Sequence, residues 1–163
     1  MQFHLNGFRP GDPRIAEPAE GRESSPGPLP EELDVLIVGC GPAGLTLAAQ
    51  LAQFPEINAR IVEMKEGRLL KGQADGIAVR TVEVFEALGF SERVLKEAYW
   101  VNETSFWKPD DAEPEVIVRS GRIQDTEDGL SEFPHVILNQ ARVHDFLLET
   151  MANSPTRMVP DYA

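Results

Sequence analysis

The chain has 163 residues, of which 42% are hydrophobic and 26% charged, enough for one domain with a hydrophobic core. The net charge of −12 at pH 7 argues against nucleic acids and anionic membranes as partners. Because Cys40 is the only cysteine, a disulfide framework within the chain is excluded and a reducing, cytoplasmic setting is expected.

Residues 1–30 are predicted to form an N-terminal arm. Six prolines alternate with glycines and charged residues there, and such a segment does not sustain a helix or a central strand. Phe3, Leu5 and Phe8 are candidates for anchoring its tip. The arm shows no signal-peptide pattern, and no segment reaches the roughly 18 apolar residues of a membrane span. The folded part is expected to comprise residues 31–163.

An apolar strand, a glycine-rich turn, a helix and a second strand follow in order between residues 33 and 63. Gly39, Gly41 and Gly44 have the spacing G-x-G-x-x-G, and Glu63 ends the second strand about 20 residues later. The apolar run before Gly39 is typical of a buried parallel strand. This order predicts a dinucleotide-binding βαβ unit.

Each part of this unit has a role at one ligand. Gly39 permits the tight turn, Gly41 lets the backbone approach a pyrophosphate, and Gly44 lets the helix pack closely on the strand. The N–H groups at the helix start favour a phosphate, and Glu63 can accept hydrogen bonds from two ribose hydroxyls. The residues assigned to cofactor binding here are Gly39, Gly41, Pro42, Ala43, Gly44 and Glu63. The alternative is a glycine-rich turn without a ligand, and Cys40 is interpreted as a small residue filling the turn rather than a redox thiol.

The middle of the chain is predicted to alternate between loop and helix. Residues 64–79 are expected to be mostly loop. The apolar stripe over residues 81–88 predicts a helix that ends at Gly89, and Ser91 is expected to cap a second helix over residues 92–98.

Two alternating segments, 100–107 and 115–119, then predict a β-hairpin around a proline-rich turn. Trp100, Phe106 and Trp107 are expected to be packing residues of this region. They are the large aromatic side chains of the first segment.

Residues 121–134 are predicted to be loop, followed by a short strand over residues 136–138. Asn139 is expected to cap a last helix over residues 140–151. By spacing, its inward face comprises Val143, Phe146, Leu147 and Met151. Residues 161–163 are expected to lead into another strand. A doubly wound sheet normally has more strands than this sequence predicts, which favours an N-terminal fragment of a larger protein.

Three motifs converge on one family: GCGPAGLTLAAQLA with Glu63, GQADGIAVRTVEVFEALGF at 72–90, and LNQARVHDFLLE at 138–149. Together they resemble the flavin-dependent aromatic hydroxylases of the phenol 2-monooxygenase branch, in particular the members that hydroxylate 3-hydroxybenzoate. The resemblance implies an α/β fold, the N-terminal part of a Rossmann-like FAD-binding domain of the para-hydroxybenzoate hydroxylase type, with a parallel sheet and a small β-hairpin insertion. The second FAD motif and the substrate domain are not in the sequence, so the chain alone is expected to be inactive.

The resemblance also implies the reaction. FAD and NADPH would support hydroxylation of a phenolic ring by molecular oxygen through a flavin C4a-hydroperoxide, with 3-hydroxybenzoate converted to 3,4-dihydroxybenzoate and phenol as the alternative substrate. The parent protein is expected to be a cytoplasmic homodimer without nucleic-acid or membrane partners. Two other classes stay open, an NAD-dependent dehydrogenase and a binding module that keeps the FAD fold without redox chemistry.

Individual positions match roles in the family. Arg80 matches an arginine that reaches the FAD phosphates, where a guanidinium can form two parallel hydrogen bonds. Gln140 matches a glutamine on the flavin side, and Gln73 is expected near the cofactor. Asp75 matches an aspartate that accepts a proton or hydrogen bond from the substrate hydroxyl, and His135 could meet a substrate carboxylate.

These residues also have structural interpretations. Asp75 lies in a glycine-flanked loop, where Asp favours turns. Arg80 could be a surface residue at a helix start, and His135 could be a structural histidine. His4 and His144 are expected at the surface, and because the histidines and the cysteine lack metal-ligand spacing, no metal site is predicted.

Overall fold

The computed structural model describes residues 27–163, which form two compact units. The first unit comprises residues 27–75 and 139–163, and the second comprises Gly76–Leu138. The predicted arm lies outside the described residues apart from its last four positions, and so do Phe3, Leu5 and Phe8, the candidates for anchoring its tip. The elements in chain order are β1 (Val35–Val38), α1 (Pro42–Leu51), β2 (Ala59–Glu63), β3 (Gly76–Ile77), α2 (Val79–Ala87), α3 (Ser91–Glu97), β4 (Tyr99–Val101), β5 (Glu103–Pro109), β6 (Ile117–Gln124), β7 (His135–Ile137), α4 (Gln140–Ala152) and β8 (Asp161–Tyr162).

The first unit is built on a parallel sheet of strand order β1-β2-β8. β1 and β2 pair in parallel from Val35 opposite Ala59 to Val38 opposite Val62, with α1 as the crossover between them. β8 adds to β2 in parallel, which confirms that the chain approaches a strand at residues 161–163. The predicted βαβ unit and parallel sheet are therefore confirmed.

Helices α1 and α4 supply most of the core of the first unit. Leu45, Ala48 and Ala49 of α1 are buried, and so is the predicted inward face of α4: Val143, Phe146, Leu147 and Met151. Asn139 caps α4 as predicted, because its side chain accepts a hydrogen bond from the Ala141 N–H at 2.9 Å. Within residues 27–163, no helix is long and apolar enough to span a bilayer.

The second unit contains a small antiparallel sheet of order β3-β7-β4, the helices α2 and α3, and the hairpin β5–β6. Helix α2 begins at Val79, two residues before the predicted start. It ends before Gly89, whose φ of +82° lies in the left-handed region, so the predicted stop is confirmed. The prediction that Ser91 caps the next helix is wrong, since Ser91 lies inside α3, its hydroxyl bonds to Glu86, and Phe90 precedes the helix.

The β-hairpin is present, but the exposure of its aromatic side chains and the length of its second strand differ from the prediction. β6 extends to Gln124, so residues 121–124 are strand rather than loop. The expectation that Trp100, Phe106 and Trp107 are packing residues is wrong, because these side chains are 49%, 50% and 62% exposed. Trp100 belongs to β4, and Phe106 and Trp107 belong to β5, which like β6 contains no buried residue.

Candidate functional site

The turn between β1 and α1 is shaped by Gly39. Its φ of +101° lies in the left-handed region, which residues with a Cβ rarely adopt, and its N–H donates to the Val62 carbonyl at 2.7 Å. The chain then enters α1 at Pro42, where a missing N–H is tolerated because the first turn has no acceptor for it. The turn therefore brings the start of α1 to the carboxyl ends of β1 and β2.

The two following glycines differ in the space around them. A Cβ on Gly44 would lie 2.1 Å from the Gly39 carbonyl oxygen, so the absence of a side chain lets α1 pack directly on the turn. A Cβ on Gly41 would meet no heavy atom within 4 Å. Pro42 and Ala43, beside it, are exposed. Gly44 therefore serves close packing, whereas Gly41 leaves open space at the helix start.

That open space belongs to a cavity of about 120 Å³ in the first unit. Its lining includes residues of the glycine turn, the end of β2, the following loop and α4: Cys40, Gly41, Glu63, Gln73, Gln140 and His144. Four residues predicted to bind the cofactor are thus brought together from distant parts of the sequence.

Glu63 is held at the end of β2 by two backbone N–H groups. Its Oε2 accepts from the Cys40 N–H at 2.8 Å, and its Oε1 accepts from the Lys65 N–H at 3.0 Å. These bonds, with that from Cys40 first, lower the pKa of Glu63 below its usual value and keep the carboxylate charged at neutral pH. Each oxygen retains a second lone pair, so Glu63 can also accept hydrogen bonds from a pair of ribose hydroxyls.

Cys40 is buried within the glycine turn. Burial, followed by the nearby charge of Glu63, raises the pKa of its thiol to about 12. Such a thiol stays protonated at neutral pH and is a poor nucleophile. The geometry therefore supports the interpretation of Cys40 as a small residue that fills the turn.

His144 was missed by the sequence reasoning, and the prediction that it lies at the surface is wrong. The residue is only 4% exposed and borders the cavity. Burial, followed by the charge of Arg68, lowers its pKa to about 4, so the ring is neutral at pH 7. Among the described residues its Nδ1 has no hydrogen-bond partner. The available signal was helical spacing, since His144 comes four residues after Gln140 and three before Leu147.

Gln73 and Gln140 are in direct contact. The Gln73 N–H donates to Gln140 Oε1 at 2.9 Å, which joins the loop after β2 to the first turn of α4. Asp75, the predicted substrate-activating residue, follows two residues later in this loop. Asp75 is exposed and does not border the cavity, so its role stays a prediction.

Arg80 lies in the first turn of α2, in the second unit. It is exposed, and its guanidinium forms an ion pair with Glu83 on the same helix at 2.8 Å. This contact, together with the Ser131 hydroxyl, lowers the pKa of Glu83. The structure therefore pairs Arg80 with a carboxylate, and its contact with phosphates stays a prediction.

His135 opens β7 of the second unit and is held by a carboxylate that the sequence reasoning did not single out. Its Nδ1 lies 2.7 Å from Asp125 Oδ2, and its Nε2 lies 3.4 Å from where a Cβ on Gly76 would be. Asp125 follows β6 directly, in the segment 121–134 that was predicted to be loop. In the part of the chain that the structure describes, no three or more His, Cys, Asp or Glu side chains are grouped to hold a metal ion.

Comparisons with known proteins place these features in a family. Residues 32–159 match the FAD binding domain family. The chain is 65% identical over 163 residues to 3-hydroxybenzoate 4-monooxygenase from Comamonas testosteroni, covering all of this chain and 26% of that protein. It is 30% identical over 128 residues to a phenol 2-monooxygenase from Aspergillus fumigatus, covering 78% of this chain and 21% of that protein.

Solved structures show the same fold. A flavin-dependent monooxygenase, PieE, in complex with FAD and substrate aligns with a TM-score of 0.63 at 25% identity, covering 82% of this chain and 24% of that chain. The p-nitrophenol 4-monooxygenase PnpA from Pseudomonas putida aligns with a TM-score of 0.63 at 18% identity, covering 80% of this chain and 31% of that chain. The second likeness shows the fold alone.

The chain therefore belongs to the FAD binding domain family. The resemblance inferred from the three motifs is confirmed, and so is the α/β fold with a parallel sheet. The chain spans about a quarter of the length of the curated relatives named above.

Proposed function

We propose that this chain, as a member of the FAD binding domain family, supplies the adenosine and diphosphate part of an FAD site in an NADPH-dependent aromatic monooxygenase. The observation that carries the proposal is the geometry of one cavity, whose lining includes both the open backbone at Gly41 and the oriented carboxylate of Glu63. The 65% identity to 3-hydroxybenzoate 4-monooxygenase supports 3-hydroxybenzoate as the substrate and 3,4-dihydroxybenzoate as the product. Phenol is the alternative substrate.

The residues of the first unit fit FAD. Pro42 carries no N–H, but the N–H groups of Ala43 and Gly44 have no acceptor within helix α1 and favour negative charge. Gly41 leaves room for a diphosphate beside them. Glu63 offers charged oxygens to a ribose, and Gln140 offers an amide. When bound, FAD would supply the redox chemistry, and these residues would bind and orient it. A family match to an FAD binding domain supports this reading over an NAD-dependent dehydrogenase.

In this proposal Asp75 accepts a proton or hydrogen bond from the substrate hydroxyl. A phenolate ring is richer in electrons than a phenol at the carbons adjacent to the hydroxyl-bearing carbon, and C4 of 3-hydroxybenzoate is one of them. A base within hydrogen-bond reach of the hydroxyl therefore promotes attack by an electrophilic oxygen at C4. The match of Asp75 to the family motif supports this role, and its carboxylate is exposed and therefore accessible to a substrate.

His135 is proposed to bind the substrate carboxylate. Asp125 Oδ2 lies 2.7 Å from Nδ1 and orients the ring, which leaves Nε2 for the substrate, and an Nε2–H can donate to a carboxylate. Phenol lacks this carboxylate, so the contact would favour 3-hydroxybenzoate. Arg80 is proposed to bind the FAD diphosphate, exchanging the Glu83 carboxylate for phosphate oxygens.

We also infer that the full-length protein is a cytoplasmic homodimer without nucleic-acid or membrane partners. The acidic net charge and the single cysteine support the cellular setting. Light scattering on the full-length protein would measure the mass directly, and a monomer at micromolar concentration would contradict the dimer.

The experiment that tests the function is NADPH consumption by the full-length protein with FAD, comparing 3-hydroxybenzoate with phenol. Strong stimulation by 3-hydroxybenzoate with a dihydroxylated product is expected. Stimulation by phenol alone would move the substrate within the family. No stimulation by either compound, with FAD still bound, would favour a binding module that keeps the fold without redox chemistry.

A further inference from the structure

The loop over residues 64–75 forms two polar contacts with helix α4 within the first unit. Near its end, the Gln73 N–H donates to Gln140 Oε1 at 2.9 Å. Near its middle, Arg68 forms an ion pair with Asp145 at 2.9 Å. The two contacts are about one and a half helical turns apart on α4, so the loop lies along the start of this helix.

Gly72 shows how closely the loop backbone approaches α4. A Cβ on Gly72 would lie 2.4 Å from Gln140 Cβ and 3.0 Å from the Gln140 nitrogen. No other residue type fits at this position without moving the loop or the helix. The contact places the loop backbone directly against the residue that also borders the cofactor cavity.

The two ends of the Gln140 amide have different uses. Since the Gln73 N–H is a donor, the atom that faces it is the amide oxygen, and the NH₂ end is left to donate elsewhere. Gln140 is not needed as the helix cap, because Asn139 accepts the hydrogen bond from the Ala141 N–H. The carbonyl end of the Gln140 amide is therefore held by the loop, and the NH₂ end is available to a ligand in the cavity that Gln140 borders.

We propose that Gln140 is a positioning residue that couples occupation of the cofactor cavity to the placement of Asp75. Its NH₂ end donates to the bound cofactor, while its carbonyl oxygen holds the Gln73 N–H. Asp75 follows Gln73 by two residues, a distance of at most about 7 Å along the chain, so a shift at Gln73 moves the Asp75 carboxylate. This inference rests on the proposed function for the role of Asp75, but the contact between Gln140 and the loop does not.

Two substitutions at Gln140 separate its two ends in the full-length protein. Gln140→Glu keeps an oxygen for the Gln73 N–H and removes the NH₂ donor. Gln140→Met has similar length and removes both. A single hydrogen bond of this kind changes a local equilibrium roughly 2- to 10-fold.

Amide hydrogen exchange of the peptide covering residues 71–75, measured without FAD, reads the contact independently of any activity. Exchange in Gln140→Met is expected to be roughly 2- to 10-fold faster than in the wild type, with Gln140→Glu close to the wild type. Exchange over residues 141–151 should be unchanged in both and serves as the control for folding. Wild-type exchange in Gln140→Met, or equally fast exchange in both variants, would overturn the proposal.

If Gln140→Met fails to fold, Gln73→Pro removes the same hydrogen bond from the loop side and leaves the Gln140 side chain in place. Faster exchange of the neighbouring loop amides in this variant is the expected result, and unchanged exchange would count against the proposal. FAD titration should show weaker binding in both Gln140 variants, because each lacks the NH₂ donor. Unaltered FAD affinity in Gln140→Glu would contradict the proposal that the Gln140 NH₂ group donates to the bound cofactor.

A double-mutant cycle with Asp75→Asn tests whether Gln140 acts through Asp75. At saturating FAD, Gln140→Met is expected to lower kcat several-fold in the wild-type background and to have little further effect beside Asp75→Asn. An equal effect in both backgrounds would show that Gln140 does not act through Asp75. Failure of the proposed function is distinguishable, since it leaves wild-type NADPH consumption unstimulated while the exchange and FAD titrations still decide the contact.

Discussion

The helix pair α1–α4 and the hairpin β5–β6 relate sequence pattern to burial in opposite ways. Phe146 and Leu147 of α4 are 1% and 0% exposed, as their spacing predicted. Phe106 and Trp107 of β5 are also large and apolar and lie in an alternating segment, yet they are 50% and 62% exposed. The pattern alone therefore did not decide which of the two sets is buried.

The difference lies in what each element has to pack against. α4 packs on α1, whereas among the described residues β5 packs chiefly on its hairpin partner β6. An isolated hairpin of this kind is marginally stable in water. Periodicity specifies which residues share a face, but it does not supply the surface that covers the face.

Truncating the core of the first unit should have the largest effect on stability. Leu147→Ala is expected to lower the free energy of unfolding of the 163-residue chain by about 2–5 kcal/mol, because a fully buried side chain leaves a cavity between helices. Urea unfolding followed by circular dichroism would measure it. The matched control is Leu130→Ala, a half-exposed leucine expected to change the same quantity by less than about 0.5 kcal/mol. Similar losses in the two variants would break the comparison.

The glycine turn allows a sharper test, because two glycines three residues apart differ in surrounding space. Gly44→Ala is expected to lower the free energy of unfolding by about 1–3 kcal/mol, since its Cβ would overlap the Gly39 carbonyl oxygen. Gly41→Ala should cost less than about 1 kcal/mol but weaken FAD binding roughly tenfold or more, because a methyl group would fill the open space. Thermal unfolding and FAD titration of the full-length variants measure the two effects. Equal stability of the two variants would contradict the packing role of Gly44.

The extent to which the sequence predicted the structure follows the same division. The βαβ unit, the Asn139 cap and the Gly89 stop were predicted because each depends on residues close in sequence or on a strict spacing. The burial of His144 and its proximity to Arg68 were not predicted, because they depend on how the loop after β2 packs on α4. Asp125 was missed because its contact with His135, ten residues later at the start of β7, depends on tertiary packing and not on a local spacing.

The buried His144 should make the stability of the first unit depend on pH. Its pKa is lowered to about 4 by burial, so between about pH 4 and 6.5 the unfolded chain binds a proton there that the folded chain does not. Stability is therefore present above pH 6.5 and is lost as pH falls towards 4. Between pH 7 and pH 5 the expected loss from this residue is about 1–2 kcal/mol.

Comparing the wild type with His144→Gln by urea unfolding at pH 7 and pH 5 isolates this contribution. The variant should lose less stability over the interval than the wild type, because its amide does not titrate. Asp145, whose pKa is raised chiefly by burial, is present in both proteins and acts in the opposite direction. Parallel losses in wild type and variant would show that His144 titrates as an exposed histidine does.

The smallest effect is expected in the hairpin. Trp107→Ala should change the unfolding free energy of the 163-residue chain by less than about 0.5 kcal/mol, because most of the side chain is already in contact with water. Urea unfolding at two protein concentrations provides the measurement. A loss above about 2 kcal/mol that grows with protein concentration would mean that the hairpin is buried by self-association. In that case α4 would be covered by α1 of the same chain and β5 by a second copy of the chain. The apolar alternation of β5 would then indicate burial after all.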